Sequence, residues 1–391
     1  MLDETTGYIR FTNFTQDCSK DVREALISLT RDQKAGKIIL DLRSNPGGLL
    51  TEAVDIVNLL VGPGQEVVST RAKVNQYDAT YKTTRPAVNE TIPLVVMINS
   101  NSASASEIVA GAIQDLDRGV VIGHRSYGKG LVQISRPLSY NSSLKVTTAK
   151  YYIPSGRCIQ ALDFTHRNED GSVGHIPDSL ISEFRTKNGR VVRDGGGIVP
   201  DYTVESLQLS QVSSELFFRS LIFDYATLFA RKHSQIDQPA SFSLDDESWK
   251  EFVKFLEDRN FSYNTATEEA LERLETMARR EKYYDPNQEM FAELREKLGH
   301  NLQNDLELFR TEITKILEDE IVGRYYYEDG VIMHNIGDDL QVQKAIEVLR
   351  DDKLYSSTLK GETGTIVAKP LPEEALLQSR NTLRNGTEIS G

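Results

Sequence analysis

Five consecutive apolar residues, Leu94-Val95-Val96-Met97-Ile98, constrain this chain more than any other stretch. A run of that length and composition reads as a strand buried on both faces, which belongs inside a layered α/β domain. It is followed by Asn99-Ser100-Asn101-Ser102-Ala103-Ser104-Ala105-Ser106-Glu107-Ile108-Val109-Ala110-Gly111, small residues that turn the chain and then start a helix expected over 105–117. The corner between such a strand and such a helix is where α/β sheets usually place reacting groups. A short strand, Gly119–Gly123, leads next into Tyr127-Gly128-Lys129-Gly130-Leu131-Val132-Gln133.

The flanking sequence supplies the remaining layers. Residues 7–14 alternate as a strand, and Val22, Ala25, Leu26 and Leu29 put one core face on a helix over 17–35 that Gly36 closes. A strand over 37–43 runs into the turn Asn45-Pro46-Gly47-Gly48. Then comes a helix whose inner side carries Leu49, Leu50, Ala53, Val54, Val57 and Leu60, stopped by Gly62-Pro63-Gly64. Further strands are expected at 65–71, 131–137 and 144–153, and a loop-rich region at 154–200. Alternating strands and helices through residue 150 give an α/β layer fold. After about residue 205 helical periods dominate: Trp249, Phe252, Val253 and Leu256 form one stripe, Leu306, Phe309, Ile313, Ile316 and Leu317 another, and a third helix lies near 340–349. Such stripes are packing surface. The expected division is therefore 1–204 as core, 205–370 as a helical domain and 371–391 as a polar, flexible tail.

Composition excludes several function classes. The net charge of −13, with no basic stripe, argues against a nucleic-acid partner. No run of 18 apolar residues exists to span a membrane, and residues 1–14 carry no signal-peptide pattern. Cys18 and Cys158 fit no metal spacing; two unrelated thiols are the favoured reading and one disulfide the alternative, and the six histidines form no metal pair. No metal or other cofactor is expected.

Two local patterns compete for the chemistry. Gly123-His124-Arg125-Ser126-Tyr127-Gly128-Lys129 has the spacing of a phosphate loop, but Gly130 stands where Ser or Thr should hold Mg²⁺, and a strand follows instead of a helix. Ser104-Ala105-Ser106-Glu107 reads as a helix capping box. It also reads as a nucleophile corner. Alanines between the serines leave open access, a helix N-terminus offers free N–H groups to an oxyanion, and a glycine-flanked lysine lies 25 residues on. A serine hydroxyl needs a base to take its proton, and a lysine serves when burial lowers its pKa enough to leave the amine neutral. Gln133, four residues beyond Lys129, could orient that amine without holding it charged.

At these residues the chain resembles the carboxyl-terminal processing (tail-specific) serine proteases. The resemblance covers residues 5 to about 204 and is carried by Gly7-Tyr8-Ile9 with Asn13-Phe14, Leu40-Asp41-Leu42-Arg43-Ser44-Asn45-Pro46-Gly47-Gly48, Ser102 to Ile108, Gly128 to Gln133, Tyr152-Ile153-Pro154-Ser155-Gly156-Arg157, and Gly196-Gly197-Ile198-Val199-Pro200-Asp201. It implies a crotonase-like α/β core with a Ser–Lys dyad: Ser104 as nucleophile, Lys129 as general base and Gln133 as the residue positioning the lysine. The oxyanion hole it implies uses the backbone N–H of Ala105 and one from the Asn-Pro-Gly-Gly turn, Gly47 or Gly48, with Gly48 favoured. The family normally places a PDZ domain just before the Gly-Tyr-Ile strand. Here Gly7 is preceded by six residues, so a truncated or processed form is expected. A cell-envelope location, the periplasm in Gram-negative bacteria, is likewise implied by the resemblance.

The expectation is an α/β, crotonase-like protease core followed by a helical C-terminal domain. Its activity would be that of a serine endopeptidase cutting proteins near their C-terminus through an acyl-enzyme, with protein or peptide substrates held by their C-terminal segments. The alternatives are a dormant fragment acting as a binding or assembly module, and crotonase-type acyl-CoA chemistry, which would lack the Ser/Lys/Gln set.

Overall fold

The computed structural model of the chain describes residues 1–167, 171–204, 209–362 and 366–368. Strand and helix alternate as β1 (Thr6–Arg10), α1 (Cys18–Ile27), β2 (Lys37–Asp41), α2 (Leu50–Leu60), β3 (Glu66–Ala72), β4 (Ala79–Lys82), β5 (Leu94–Ile98), α3 (Ala105–Asp115) and β6 (Val120–Gly123). Next come β7 (Leu131–Pro137) and β8 (Ser143–Tyr152), then the short strands β9 (Leu162–Arg167), β10 (Val173–His175), β11 (Glu183–Arg185), β12 (Val191–Arg193) and β13 (Tyr202–Val204). Helices follow as α4 (Gln211–Phe218), α5 (Leu221–Lys232), α6 (Asp246–Asp258), α7 (Ala266–Arg280), α8 (Gln288–Leu298), α9 (Leu302–Leu308), α10 (Arg310–Asn335), α11 (Leu340–Arg350) and α12 (Asp352–Leu359), before a last strand β14 (Ile366–Ala368).

One sheet is parallel throughout, in the order β1-β2-β5-β6-β13-β14. β5 lies inside it, with Leu40 of β2 opposite Val96 on one side and Val121 of β6 on the other. All five of its residues are fully buried, as an uninterrupted apolar run requires. The second sheet is antiparallel, β4-β3-β8-β7, with a bulge between Val132 and Gln133.

Several local expectations are corrected. The first helix continues past Ile27 as a π turn over Ser28–Asp32, and the left-handed residue after it is Lys34 (φ 61°), not Gly36. On α2 Ala53, Ile56, Val57 and Leu60 are buried, with Leu50 and Val54 packed partly buried against the same core, while Leu49 is exposed. Glu52 turns inward because its carboxylate accepts the Asp17 and Ser19 N–H groups at the start of α1, both at 3.0 Å. The region 154–200 contains two small hairpins, β9–β10 and β11–β12.

The chain divides into two units, Met1–Glu205 with Asp338–Gly391, and Ser206–Gly337. The helical domain therefore does not run to 370 as expected: after Gly337 the chain returns to the first unit, and β14 pairs with β13. The proposed tail at 371–391 lies outside the described residues. The helical unit has its own core, where Trp249, Phe252 and Leu256 of α6 meet Ile313 and Leu317 of α10. Within α10, Tyr327 (φ 56°, ψ −158°) breaks the helix and folds it back, so that the Asn335 amide donates to Asp319 at 2.5 Å. Among the described residues no helix is long and apolar enough to cross a membrane.

Two sequence blocks prove to be fasteners for α3. Arg157 is fully buried and donates to Asp115 and Gln114 at the end of α3, each at 2.8 Å. Asp201 accepts from Arg190 at 2.6 Å, from Gln114 at 3.1 Å and from the Val121 N–H at 2.8 Å. Buried ion pairs of this kind fix a geometry more than they add stability.

Candidate active site

Ser104 stands between β5 and α3 with φ 57° and ψ −112°, a backbone conformation that a side-chain-bearing residue adopts only under constraint. Its neighbours show the constraint. Ser102 and Ser106 are fully buried, and their hydroxyls donate to the carbonyls of Leu42 (2.8 Å) and Asn45 (2.9 Å). Ser104, the middle serine, is half-buried, and its hydroxyl makes no cap hydrogen bond. The capping arrangement is present in placement, but the Glu107 N–H goes to the Ser104 carbonyl (2.9 Å) while the Glu107 carboxylate accepts the Ser104 N–H (2.8 Å).

The Asn-Pro-Gly-Gly turn packs directly on this corner. Asn45 is fully buried; its amide donates to the Phe11 carbonyl at 2.8 Å and its own carbonyl accepts the Ala103 N–H at 3.0 Å. A Cβ on Gly47 would lie 2.6 Å from the Ala103 carbonyl oxygen and 2.8 Å from the Ala105 nitrogen, so only glycine fits there. The two glycines differ in their N–H groups. Gly47 donates to the Asn45 side chain at 2.9 Å, whereas the N–H groups of Gly48 and Ala105 make no hydrogen bond among the described residues.

Lys129 lies in the loop between β6 and β7 and is half-buried; its amine is in no ion pair among the described residues. What brings the loop to the serine is Glu107. One carboxylate oxygen accepts the N–H of Ser104 (2.8 Å) and of Lys129 (2.9 Å), and the other accepts the Gly128 N–H (2.7 Å) and the Ser126 hydroxyl (2.6 Å). The backbone nitrogens of Ser104 and Lys129 are thus both within hydrogen-bond reach of a single oxygen. Burial pushes the Glu107 carboxyl above its ordinary value of 4.5, against the lowering effect of these four donors. Ser126 in turn accepts the Ile198 N–H at 2.7 Å, tying in the Gly-Ile-Val-Pro-Asp block.

Tyr151 of β8 closes the other side. Its hydroxyl donates to the Lys129 carbonyl, with the Ser104 carbonyl as second acceptor at 3.3 Å. Burial, with the Glu107 charge second, holds this phenol protonated well above its usual range. Nothing in the sequence pattern singled out Tyr151. Glu107 was visible only as a cap.

Gln133 is not brought to Lys129 by any hydrogen bond among the described residues. It is exposed, follows the bulge in β7, and its amide reaches the Thr147 hydroxyl at 3.4 Å. The Nδ1 atom of His124, the nearest histidine in sequence, is held by the Gln341 amide of α11 at 2.9 Å. The residues after Lys129 enter β7, and a phosphate loop would need a helix there. Cys18 and Cys158 are both free thiols.

Residues 5–166 match Peptidase family S41, and residues 212–349 match the C-terminal helical domain of a probable PDZ-protease. The carboxy-terminal-processing protease of Bartonella bacilliformis is 41% identical over 162 residues, covering 41% of this chain and 37% of that protein. The carboxyl-terminal-processing protease of Synechocystis sp. is 37% identical over 180 residues, 46% of this chain and 39% of its own. Among solved structures, a photosystem II D1 C-terminal processing protease is 34% identical over 39% of this chain and 38% of that one, with a TM-score of 0.36. The matched part spans less than two fifths of these relatives' lengths. Over residues 5–166 this chain is thus similar to peptidase family S41 and to proteins named carboxyl-terminal-processing proteases.

Proposed function

We propose that the chain is a serine endopeptidase of the carboxyl-terminal-processing type, in which Ser104 attacks and Lys129 is its base. The observation that supports this most is the convergence of the Ser104 and Lys129 N–H groups on one oxygen of Glu107, beside the backbone N–H groups of Gly48 and Ala105, which have no partner among the described residues. In the proposed reaction the Lys129 amine takes the hydroxyl proton as Ser104 Oγ forms its bond to the scissile carbonyl carbon. The developing oxyanion is received by the N–H groups of Ala105 and Gly48. Gly48 is assigned this role because the Gly47 N–H is already given to Asn45. The lysine ammonium then returns its proton to the departing amine as the C–N bond breaks. Water attacks the acyl-enzyme by the same route reversed and frees Ser104. Substrates are protein C-terminal segments bound as extended strands.

Gln133 takes no step in this scheme as it stands, since its amide is turned to Thr147 and not to the lysine. That same geometry favours one other reading, a chain dormant as it stands that serves as a binding module. Cleavage of an unfolded protein with an unstructured C-terminus separates the two. Ser104→Ala and Lys129→Ala are each expected to lower the rate by about 10⁴-fold with an unchanged melting temperature. Full cleavage by Ser104→Ala would refute the assignment, and a wild-type chain without any cleavage would favour the dormant module.

A further inference from the structure

We propose that Tyr151 is a positioning residue for the Ser104–Lys129 pair: its phenol anchors the carbonyl side of Lys129, as Glu107 anchors its N–H. The kinetic consequence of this inference rests on the protease reading; its structural content does not.

The two carbonyls differ in the partners they have besides Tyr151. The Ser104 carbonyl also accepts the N–H groups of Glu107 (2.9 Å) and Ile108 (3.0 Å), so the first turn of α3 satisfies it. The Lys129 carbonyl has no partner among the described residues other than the Tyr151 hydroxyl. The next carbonyl, that of Gly130, accepts the Tyr151 backbone N–H at 3.0 Å. Two successive carbonyls of the lysine loop therefore end on one residue of β8. Tyr151 cannot easily give way, because its ring is 2% exposed and its backbone pairs with Thr70 of β3. The loop is held at its amide end by Glu107 and at its carbonyl end by Tyr151, and the lysine stem leaves between the two anchors.

Removing the phenol oxygen should free one partner and not the other. Ser104 keeps its helix bonds and its Glu107 contact; Lys129 keeps only the latter. A buried carbonyl left without a donor makes the loop open more often, by up to about tenfold for a single hydrogen bond.

The test compares the full 391-residue chain with Tyr151→Phe, which deletes one oxygen from a ring that stays buried, and Tyr152→Phe as control. Tyr152 lies beside it with its ring under the Arg71 guanidinium and outside the site. In Tyr151→Phe, amide hydrogen exchange in residues 127–131 is expected to rise about tenfold while that of 105–115 stays unchanged. For peptide cleavage kcat is expected to fall about tenfold at constant KM. Tyr152→Phe should match the wild type in both. Wild-type exchange at 127–131 in Tyr151→Phe would overturn the proposal. So would equal acceleration in both segments with a lowered melting temperature, which marks a general packing role. Should the wild-type chain cleave nothing, the protease reading fails while the exchange data still decide the clamp.

Discussion

Ser104 sits at the head of a helix whose every residue is buried, whereas Lys129 sits in a loop that runs into a hairpin whose far half is exposed on both strands. The serine is fixed by packing: β5 beneath it, Gly47 against its Cβ, Asn45 beside it. The lysine is fixed by polar contacts, chiefly Glu107 at its N–H and Tyr151 at its carbonyl. The two halves of one proposed dyad thus respond to different insults. Cavities in the sheet would move the serine, and the loss of single hydrogen bonds would move the lysine.

Glu107 belongs to both halves, so changing it should blur the contrast most. In Glu107→Gln two of the four donors face an amide NH₂ in either orientation. A stability loss of about 3–5 kcal/mol is expected, read as a lowered urea midpoint, together with lost cleavage. The sign of the pH effect follows from the raised carboxyl pKa. Stability from Glu107 is full below 4.5 and shrinks as pH climbs through the raised value. The gap between wild type and Glu107→Gln is therefore expected to be widest in acid and to narrow above pH 4.5. A gap independent of pH would break this part of the comparison.

Arg157→Met sharpens it from the packing side. It leaves Asp115 buried without its cation at the far end of α3 and should cost about 3 kcal/mol of stability, with kcat per folded molecule retained. A collapse of kcat without loss of stability would show that the helix end and the site are coupled. The smallest effect is assigned to Gln133→Ala, no more than about tenfold in kcat, because its amide contacts Thr147 at 3.4 Å and not the lysine. A loss as large as that of Lys129→Ala would mean that Gln133 moves onto the amine during turnover.

The packed half was the legible half. Leu94–Ile98 announced a buried strand because a five-residue, β-branched apolar run is too short for a buried helix, and the small residues after it announced the corner. The polar half was not. Tyr151 is one tyrosine of an adjacent pair, and the hydrogen bonds of its hydroxyl depend on how β8 pairs, which no local pattern encodes. The proposed preference for Gly48 over Gly47 rests on the Asn45 side chain occupying the Gly47 N–H, a contact invisible in a Gly-Gly dipeptide. The expected boundary at 370 differs from the return at Asp338 for a related reason: the periodicity of α11 shows that it has a core face but not which core that face joins. Strands of three residues such as β11 and β12 are too short to carry an alternation at all.

In the proposed dyad Lys129 makes the Ser104 hydroxyl reactive. Its most direct measurement is the rate at which a fluorophosphonate modifies the wild-type chain and Lys129→Ala, with the adduct located by peptide mapping. A single adduct on Ser104 is expected in the wild type, with its near disappearance in Lys129→Ala. An adduct elsewhere, or equal rates in the two proteins, would contradict it.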